Sequence, residues 1–140
     1  MANKDSTIAV LRAVPALQGC RDRQLARVAR LVDEIEVEAG RVLMREGTPA
    51  GETFLIVEGE AAVALRGRVI ATIGPGQFVG EMAMFEHGPR SATVTATTPM
   101  RLLVFGAREF ASLLNEPGIG YQIAIQIAHR LRSAERARRL

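Results

Sequence analysis

Between Ile35 and Phe105, short runs of β-favouring residues are separated by glycines. The runs are VLM, TFLIV, AAVAL, VIATI, ATVTA and RLLVF, and the glycines are Gly40, Gly47, Gly51, Gly59, Gly67, Gly74 and Gly76. Many short strands with regular turn glycines favour a β-sandwich or a small barrel. Arg66-Gly67 lies between two alternating runs, so we predict a hairpin turn there.

Helical patterns flank this segment on both sides. Before it, apolar residues recur at helical spacing between Ser6 and Val32, with Pro15 and Gly19 as breaks. After it, helical spacing returns from Ala107 to Leu114 and again from about Gly118 to the end. With 140 residues, one domain is expected. We predict a mainly β fold, with N-terminal helices over 1–33, the β segment over 34–106 and C-terminal helices over 107–140.

Charge and composition exclude several classes of protein. The net charge is +3, but the last twelve residues, HRLRSAERARRL, hold five arginines and one glutamate. Without them the chain is nearly neutral, so its body is not a basic nucleic-acid surface. The arginines either complement the end of a helix dipole or contact an anionic partner.

Other sequence features argue against a secreted protein or an enzyme. Cys20 is the only cysteine, so no internal disulfide forms, and no cluster has metal-site spacing. No apolar run is long enough to cross a membrane, and a cytoplasmic protein is expected. Nucleophile–base pairs and Gly-Lys-Ser/Thr loops are missing from the sequence, so we expect neither an enzyme nor a bound cofactor or metal.

The stretch FVGEMAMFEHGPRSAT, residues 78–93, has the residue types of an anion site. Gly80 allows close backbone approach, and the helix-forming residues after it aim free N–H groups at an anion. Arg90 offers a planar fork to a phosphate and Ser91 adds a hydroxyl donor. Glu81, a carboxylate, suits sugar hydroxyls instead. An anion beside a sugar describes a nucleotide, whereas a Glu81–Arg90 salt bridge closing the loop is the structural alternative.

This stretch closely resembles the phosphate-binding cassette of the cyclic nucleotide-binding domains. The resemblance rests on Gly80-Glu81-Met82-Ala83 followed by a short spacer and Pro89-Arg90-Ser91-Ala92-Thr93, and it extends over nearly the whole chain. It implies a β-roll, a jelly-roll-like double-stranded β-helix, with C-terminal lid helices.

The same resemblance assigns roles to the cassette. Arg90 would pair with the cyclic phosphate and Glu81 would accept a hydrogen bond from the ribose 2′-hydroxyl. Backbone groups would complete the cradle at Gly80, Met82, Ala83, Ser91 and Ala92. A serine at position 91 favours cAMP over cGMP as the ligand.

The last helix has two sides at helical pitch. One carries Ile119, Ile123, Ile127, Arg130, Leu131 and Ala134, and the other Tyr121, Ile125, Ala128 and Arg132. The first side is expected to pack on the barrel. The second either forms a homodimer seam or packs on the N-terminal helices of the same chain. Arg130 either stacks over the purine, as a cation–π contact, or is solvated.

The function that follows is a cyclic nucleotide sensor that switches an unidentified effector through its C-terminal helices. Because the chain begins at Met1 and carries no output segment, we expect a stand-alone receptor. The alternatives are a regulatory module cut from a larger transcription factor, channel or enzyme, and a ligand-free interaction module on the same fold. No groove-entering motif supports a DNA-binding repressor.

Overall fold

The computed structural model describes residues 4–49, 51–80, 89–125 and 128–129. The chain begins with helix α1 (Lys4–Arg12), a 3-10 turn (Pro15–Leu17) and helix α2 (Asp22–Ala29). Eight strands follow within the described residues: β1 (Asp33–Val37), β2 (Val42–Met44), β3 (Glu52–Glu58), β4 (Ala61–Leu65), β5 (Arg68–Ile73), β6 (Phe78–Val79), β7 (Thr93–Ala96) and β8 (Met100–Gly106). Helix α3 (Ala107–Leu114) leads to a C-terminal helix that begins at residue 119.

The strands form two antiparallel sheets. Sheet I has the order β1-β8-β3-β6, and sheet II has the order β2-β7-β4-β5. Their inward side chains share one apolar cluster, which includes Phe54, Ile56 and Leu102 from sheet I and Val94 and Ala96 from sheet II. The predicted mainly β fold with flanking helices, a β-roll, is therefore confirmed.

A second core lies between sheet I and the helices. It contains Leu55 and Leu103 from the sheet together with residues of α1, α2, α3 and the C-terminal helix. Three aromatic rings pack at its centre, with centroids 5.9–6.2 Å apart: Phe78, Phe105 and Phe110. Because sheet I is covered on both faces, its central strands are continuous apolar runs rather than alternating ones.

Several local predictions are confirmed. β4 pairs with β5 across a turn in which Arg66 and Gly67 both have positive φ, of 52° and 79°, as a tight hairpin turn requires. Helix α3 has the predicted bounds. Pro15 opens the 3-10 turn, and Gly19 has a φ of 87°, so both act as the expected breaks. Strands β1 and β6 were not among the predicted runs: β1 alternates acidic with apolar residues, and β6 has only two residues.

Candidate nucleotide site

Arg90 lies just before β7, and its backbone is fixed by the loop that follows β2. Its N–H donates to the carbonyl of Thr48 at 2.8 Å, and its own carbonyl accepts from the N–H of Gly47 at 2.9 Å. Arg90 thus opposes two residues, Gly47 and Thr48, and Gly47 has a φ of 82°, which is the pattern of a β-bulge that begins with glycine. The position of Arg90 is thus set by the body of the β-roll as well as by its own loop.

The Arg90 side chain is buried, with 5% of the residue exposed. Its Nη2 donates to the Glu52 carbonyl at 2.8 Å, and its Nη1 donates to the Gly80 carbonyl at 3.2 Å. Among the described residues, no carboxylate lies within ion-pair distance of the guanidinium. Two neutral carbonyls therefore orient this cation without neutralising it.

Burial disfavours the charged form of a cation. It lowers the pKa of Arg90 from its ordinary value, and the negative charge of Glu52 offsets part of this shift. Arginine nevertheless stays protonated in proteins, so the buried charge persists. A guanidinium has five N–H donors, and the two carbonyls do not exhaust them.

Gly80 allows the guanidinium to lie against the backbone. It follows β6 and has a φ of +84°, a conformation that side-chain-bearing residues rarely adopt. A Cβ at this position would lie 2.4 Å from Arg90 Nη1 and 3.4 Å from Met44 Sδ. The sequence predicted that Gly80 lets the backbone turn sharply or approach a ligand; in the structure the Arg90 side chain lies against it, and the approach of a ligand stays a prediction.

The other described residues of the cassette lie beside Arg90. Ser91 is exposed, whereas Ala92 is buried immediately before β7. The structure thus brings together Gly80, Arg90, Ser91 and Ala92. Glu81, Met82, Ala83 and Arg130 lie outside the described residues, and so does any Glu81–Arg90 salt bridge.

Sequence reasoning missed the residues that hold Arg90 in place. Glu52 and Thr48 contribute backbone carbonyls, which every residue type possesses, so no sequence signal marks them. Met44 is buried beside Gly80. From the sequence it was predicted only as part of the VLM strand, with no role at the site.

The C-terminal helix packs as predicted on one side only. Ile119 and Ile123 are 1% and 0% exposed in the core beneath sheet I, whereas Tyr121 and Ile125 are 71% and 40% exposed. Of the two alternatives for this face, packing of Tyr121 and Ile125 on the N-terminal helices is therefore wrong, because both side chains are exposed. Ile127, Leu131, Arg132 and Ala134 lie outside the described residues.

Two kinds of feature are absent from the described residues. Their helices include none with the length and apolar character needed to cross a membrane. Their His, Cys, Asp and Glu side chains form no group of three that suits a metal ion.

The family model described as "Cyclic nucleotide-binding domain" matches residues 34–116, which is more than half of the chain. The match begins within β1 and covers β2 to β8, Arg90 and α3. The chain belongs to the cyclic nucleotide-binding domain family, as its cassette predicted.

Individual relatives agree with this assignment. A cyclic nucleotide-gated potassium channel of Mesorhizobium japonicum is 38% identical over 104 residues, which are 74% of this chain and 29% of the channel. A mutant of the cAMP-binding acyltransferase from Mycobacterium smegmatis has a TM-score of 0.79 and 30% identity, over 93% of this chain and 42% of that one. The fold also matches cAMP-bound PfPKA-R, with a TM-score of 0.87 and 20% identity over 96% of this chain and 47% of that one.

The curated relatives are much longer than the matched region. This chain spans about a quarter to a third of their length. What they share with this chain is the matched region of 104–113 residues, and their channel, kinase-regulatory and acetyltransferase names belong to the whole proteins.

Proposed function

We propose that this chain is a cytoplasmic regulatory domain, not itself an enzyme, that binds cAMP and switches an effector through its C-terminal helices. The observation that carries the proposal is the buried Arg90 guanidinium, oriented by the carbonyls of Glu52 and Gly80 with no described carboxylate to neutralise it. A buried charge of this kind is costly to the fold unless it acquires an anionic partner.

A cyclic phosphate suits this arrangement. Arginine forms bidentate, charge-assisted hydrogen bonds with phosphate oxygens, and these bonds are stronger away from bulk water. Because the arginine is already held in position, little side-chain entropy is lost when the ligand binds. Ser91 is exposed beside Arg90 and supplies a hydroxyl to the same phosphate.

The remaining ligand contacts follow from the family cassette. Glu81 accepts from the ribose 2′-hydroxyl, the backbone at Met82 and Ala83 completes the cradle, and Arg130 stacks over the purine. The serine at position 91 supports cAMP rather than cGMP. Two of the structural matches are described as cAMP-binding or cAMP-bound proteins, which supports the same choice.

A packed route connects the cassette to the helices that carry the output. Phe78 in β6 precedes Gly80 by two residues, and its ring centroid lies 5.9 Å from that of Phe110 in α3. Ile119, at the start of the C-terminal helix, belongs to the same core cluster. A ligand that shifts Gly80 and Arg90 therefore biases the position of these helices, and its differential affinity for the two arrangements drives the switch.

A homodimer through the exposed face of the C-terminal helix is part of this proposal. Tyr121 and Ile125 are two of the exposed large apolar residues, and they lie on one side of that helix. Size-exclusion chromatography with light scattering at tens of micromolar tests this seam, and a monomer at that concentration would reject it.

The deciding experiment is a calorimetric titration of refolded, nucleotide-stripped protein with cAMP and then cGMP, with 5′-AMP as a control for the cyclic phosphate. We expect saturable binding that is tighter for cAMP than for cGMP and weakest for 5′-AMP. Glu81→Ala should weaken cAMP binding by about 1–3 kcal/mol, the scale of a hydrogen bond to a charged group. If a protein that unfolds cooperatively gives no heat with either cyclic nucleotide, the chain is an interaction module on this fold and the proposal is wrong.

A further inference from the structure

A groove runs along β2, the edge strand of sheet II. β2 pairs with β7 on one side, and in the described sheets no strand covers its other side. The groove has a volume of about 480 Å³ and is lined by Gly40, Arg41, Val42, Leu43, Met44, Arg45 and Thr48. An uncovered strand edge beside a groove has the geometry that binds an extended peptide by strand addition.

The charge of this groove is positive. Arg41 and Arg45 are exposed, and neither forms an ion pair with a described carboxylate. The adjacent Glu46 forms no ion pair with either arginine, and its Oε1 accepts the Arg66 backbone N–H at 2.9 Å in the β4–β5 turn. The partly buried Leu43 adds an apolar floor between the two arginines.

The groove is directly connected to the Arg90 site. Thr48 lines the groove, and its carbonyl accepts the Arg90 N–H. Gly47, one residue earlier, donates to the Arg90 carbonyl. The groove is therefore linked by two backbone hydrogen bonds to Arg90, the cation that we propose to bind the phosphate.

We propose that this groove, the β2-edge groove, is the docking site for an acidic, extended segment of the effector protein. The segment adds a strand to β2, and its carboxylates pair with Arg41 and Arg45. Since the two arginines are four positions apart, roughly 13 Å in an extended chain, the segment carries acidic residues at about the same spacing. An extended peptide fits better than a nucleic acid, because the groove follows a strand edge and the body of the domain is not basic.

The opposite edge of the same sheet provides an internal control. β5 exposes Val69 and Ile70, at 61% and 48%, and it also carries Arg68. Its backbone forms no described hydrogen bond to Gly47 or Thr48, although the β4–β5 turn reaches Glu46 through the Arg66 N–H. We therefore expect strand addition at β5 to be coupled less directly to the nucleotide site.

The test uses fluorescence anisotropy on nucleotide-stripped full chain with a labelled eight-residue peptide of alternating valine and glutamate. A valine–lysine peptide controls for charge, and a version with N-methylated amides controls for strand hydrogen bonding. We expect the acidic peptide to bind, the basic one not to bind, and the N-methylated one to bind at least about tenfold more weakly. The Arg41→Glu, Arg45→Glu double variant should lose at least about tenfold in affinity. The charge-matched Arg23→Glu, Arg68→Glu variant should bind like the parent.

Four results would overturn the docking site. Equal binding by the N-methylated peptide, or an equal loss in the control double variant, would indicate diffuse charge attraction only. No binding to a protein that unfolds cooperatively would mean that the two arginines simply prevent strand pairing at an edge. Tighter binding of a thymidine oligonucleotide than of the peptide would assign the surface to nucleic acid.

The coupling to the nucleotide rests on the proposed function and is tested separately. Saturating cAMP should change the peptide affinity of the parent chain but not that of Arg90→Ala, and by linkage the peptide should change cAMP affinity by the same factor. If peptide binding is unaffected by bound cAMP, the docking site stands and the coupling is wrong. If calorimetry shows no cAMP binding, the proposed function fails while the peptide result, measured without nucleotide, is unaffected.

Discussion

Two arginines, Arg90 and Arg101, contact opposite ends of strand β3. Their positive charges are compensated in different ways. At the first residue of β3, the Glu52 backbone carbonyl accepts from Arg90. At its last residue, the Glu58 carboxylate pairs with Arg101 at 2.9 Å, and Glu34 pairs with the same guanidinium through Nη2 and, at 3.0 Å, Nε. Hydrogen bonds to Glu34 and Glu58 raise the pKa of Arg101, whereas burial lowers that of Arg90.

We infer that the kind of partner, more than the depth of burial, separates a structural cation such as Arg101 from the proposed binding cation, Arg90. The side chain of Arg101 is 30% exposed, and its charge is already paired with two carboxylates. It is therefore not available to bind a further anion. Arg90 is more buried, yet its described partners are neutral. A phosphate would gain a strong partner at Arg90 and would meet two repelling carboxylates at Arg101.

The largest expected effect is the loss of nucleotide binding on truncation of Arg90. Arg90→Ala should weaken cAMP binding by about 2–5 kcal/mol, the cost of removing one member of a buried charge pair. Arg101→Ala should leave the affinity within about twofold, because its partners are saturated within the protein. Calorimetry on both variants measures the contrast. Binding of cAMP to Arg90→Ala with the affinity of the parent would reject the assignment of this cassette.

Next in size is the effect of adding a methyl group at Gly80. Gly80→Ala should lower the free energy of unfolding by about 1–2 kcal/mol, because a side chain is strained at positive φ. It should also weaken cAMP binding at least about tenfold, since the new Cβ would displace Arg90 Nη1. Gly19→Ala is the matched control: its φ is +87°, but no atom lies within 4 Å of the added Cβ.

Calorimetry and urea unfolding of the two glycine variants separate backbone strain from displacement of Arg90. Both variants should lose stability, and only Gly80→Ala should lose affinity. Equal cAMP affinities of Gly80→Ala and Gly19→Ala would show that Arg90 moves aside without weakening cAMP binding.

A smaller effect should appear in stability when the two arginines are replaced by methionine. Arg101→Met should lower the free energy of unfolding by about 1–2 kcal/mol, since Glu34, whose side chain is 19% exposed, loses its partner while solvent screens part of the cost. Arg90→Met should cost less than about 1 kcal/mol, because removing an uncompensated buried charge offsets its lost hydrogen bonds. Urea denaturation gives both values, and the reverse order would contradict the distinction between the two sites.

The sequence identified Arg90 as a candidate site residue, but it did not indicate the ion pairs of Arg101. The cassette is contiguous, so Gly80 and Arg90 were recognised from local pattern, and the Arg66-Gly67 turn was likewise readable from adjacent residues. Arg101 was placed in a strand, but its partners are 43 and 67 positions away. Only the pairing register of β8 with β1 and β3 brings them together, and that register is a property of the whole fold.

Backbone partners explain why even the recognised site was incomplete. The carbonyl of Glu52 is 38 positions from Arg90, and nothing in its side chain marks it as an acceptor for a guanidinium. The exposure of Tyr121 and Ile125 was also undecided by sequence, since helical spacing identifies two faces but not what covers each one.

The smallest expected effect is at Thr53, the residue after Glu52 in β3. Thr53 is fully buried, and its Oγ1 has no hydrogen-bond partner among the described residues. Thr53→Val keeps the shape and removes the unsatisfied hydroxyl, so the free energy of unfolding should rise by up to about 1 kcal/mol. Thr93→Val is the control, because the Thr93 hydroxyl accepts the Glu46 N–H at 3.0 Å and its removal should destabilise the fold by a similar amount. Urea denaturation should therefore give changes of opposite sign. Equal destabilisation would mean that the Thr53 hydroxyl has a hydrogen-bond partner and that this end of β3 carries no unsatisfied side chain.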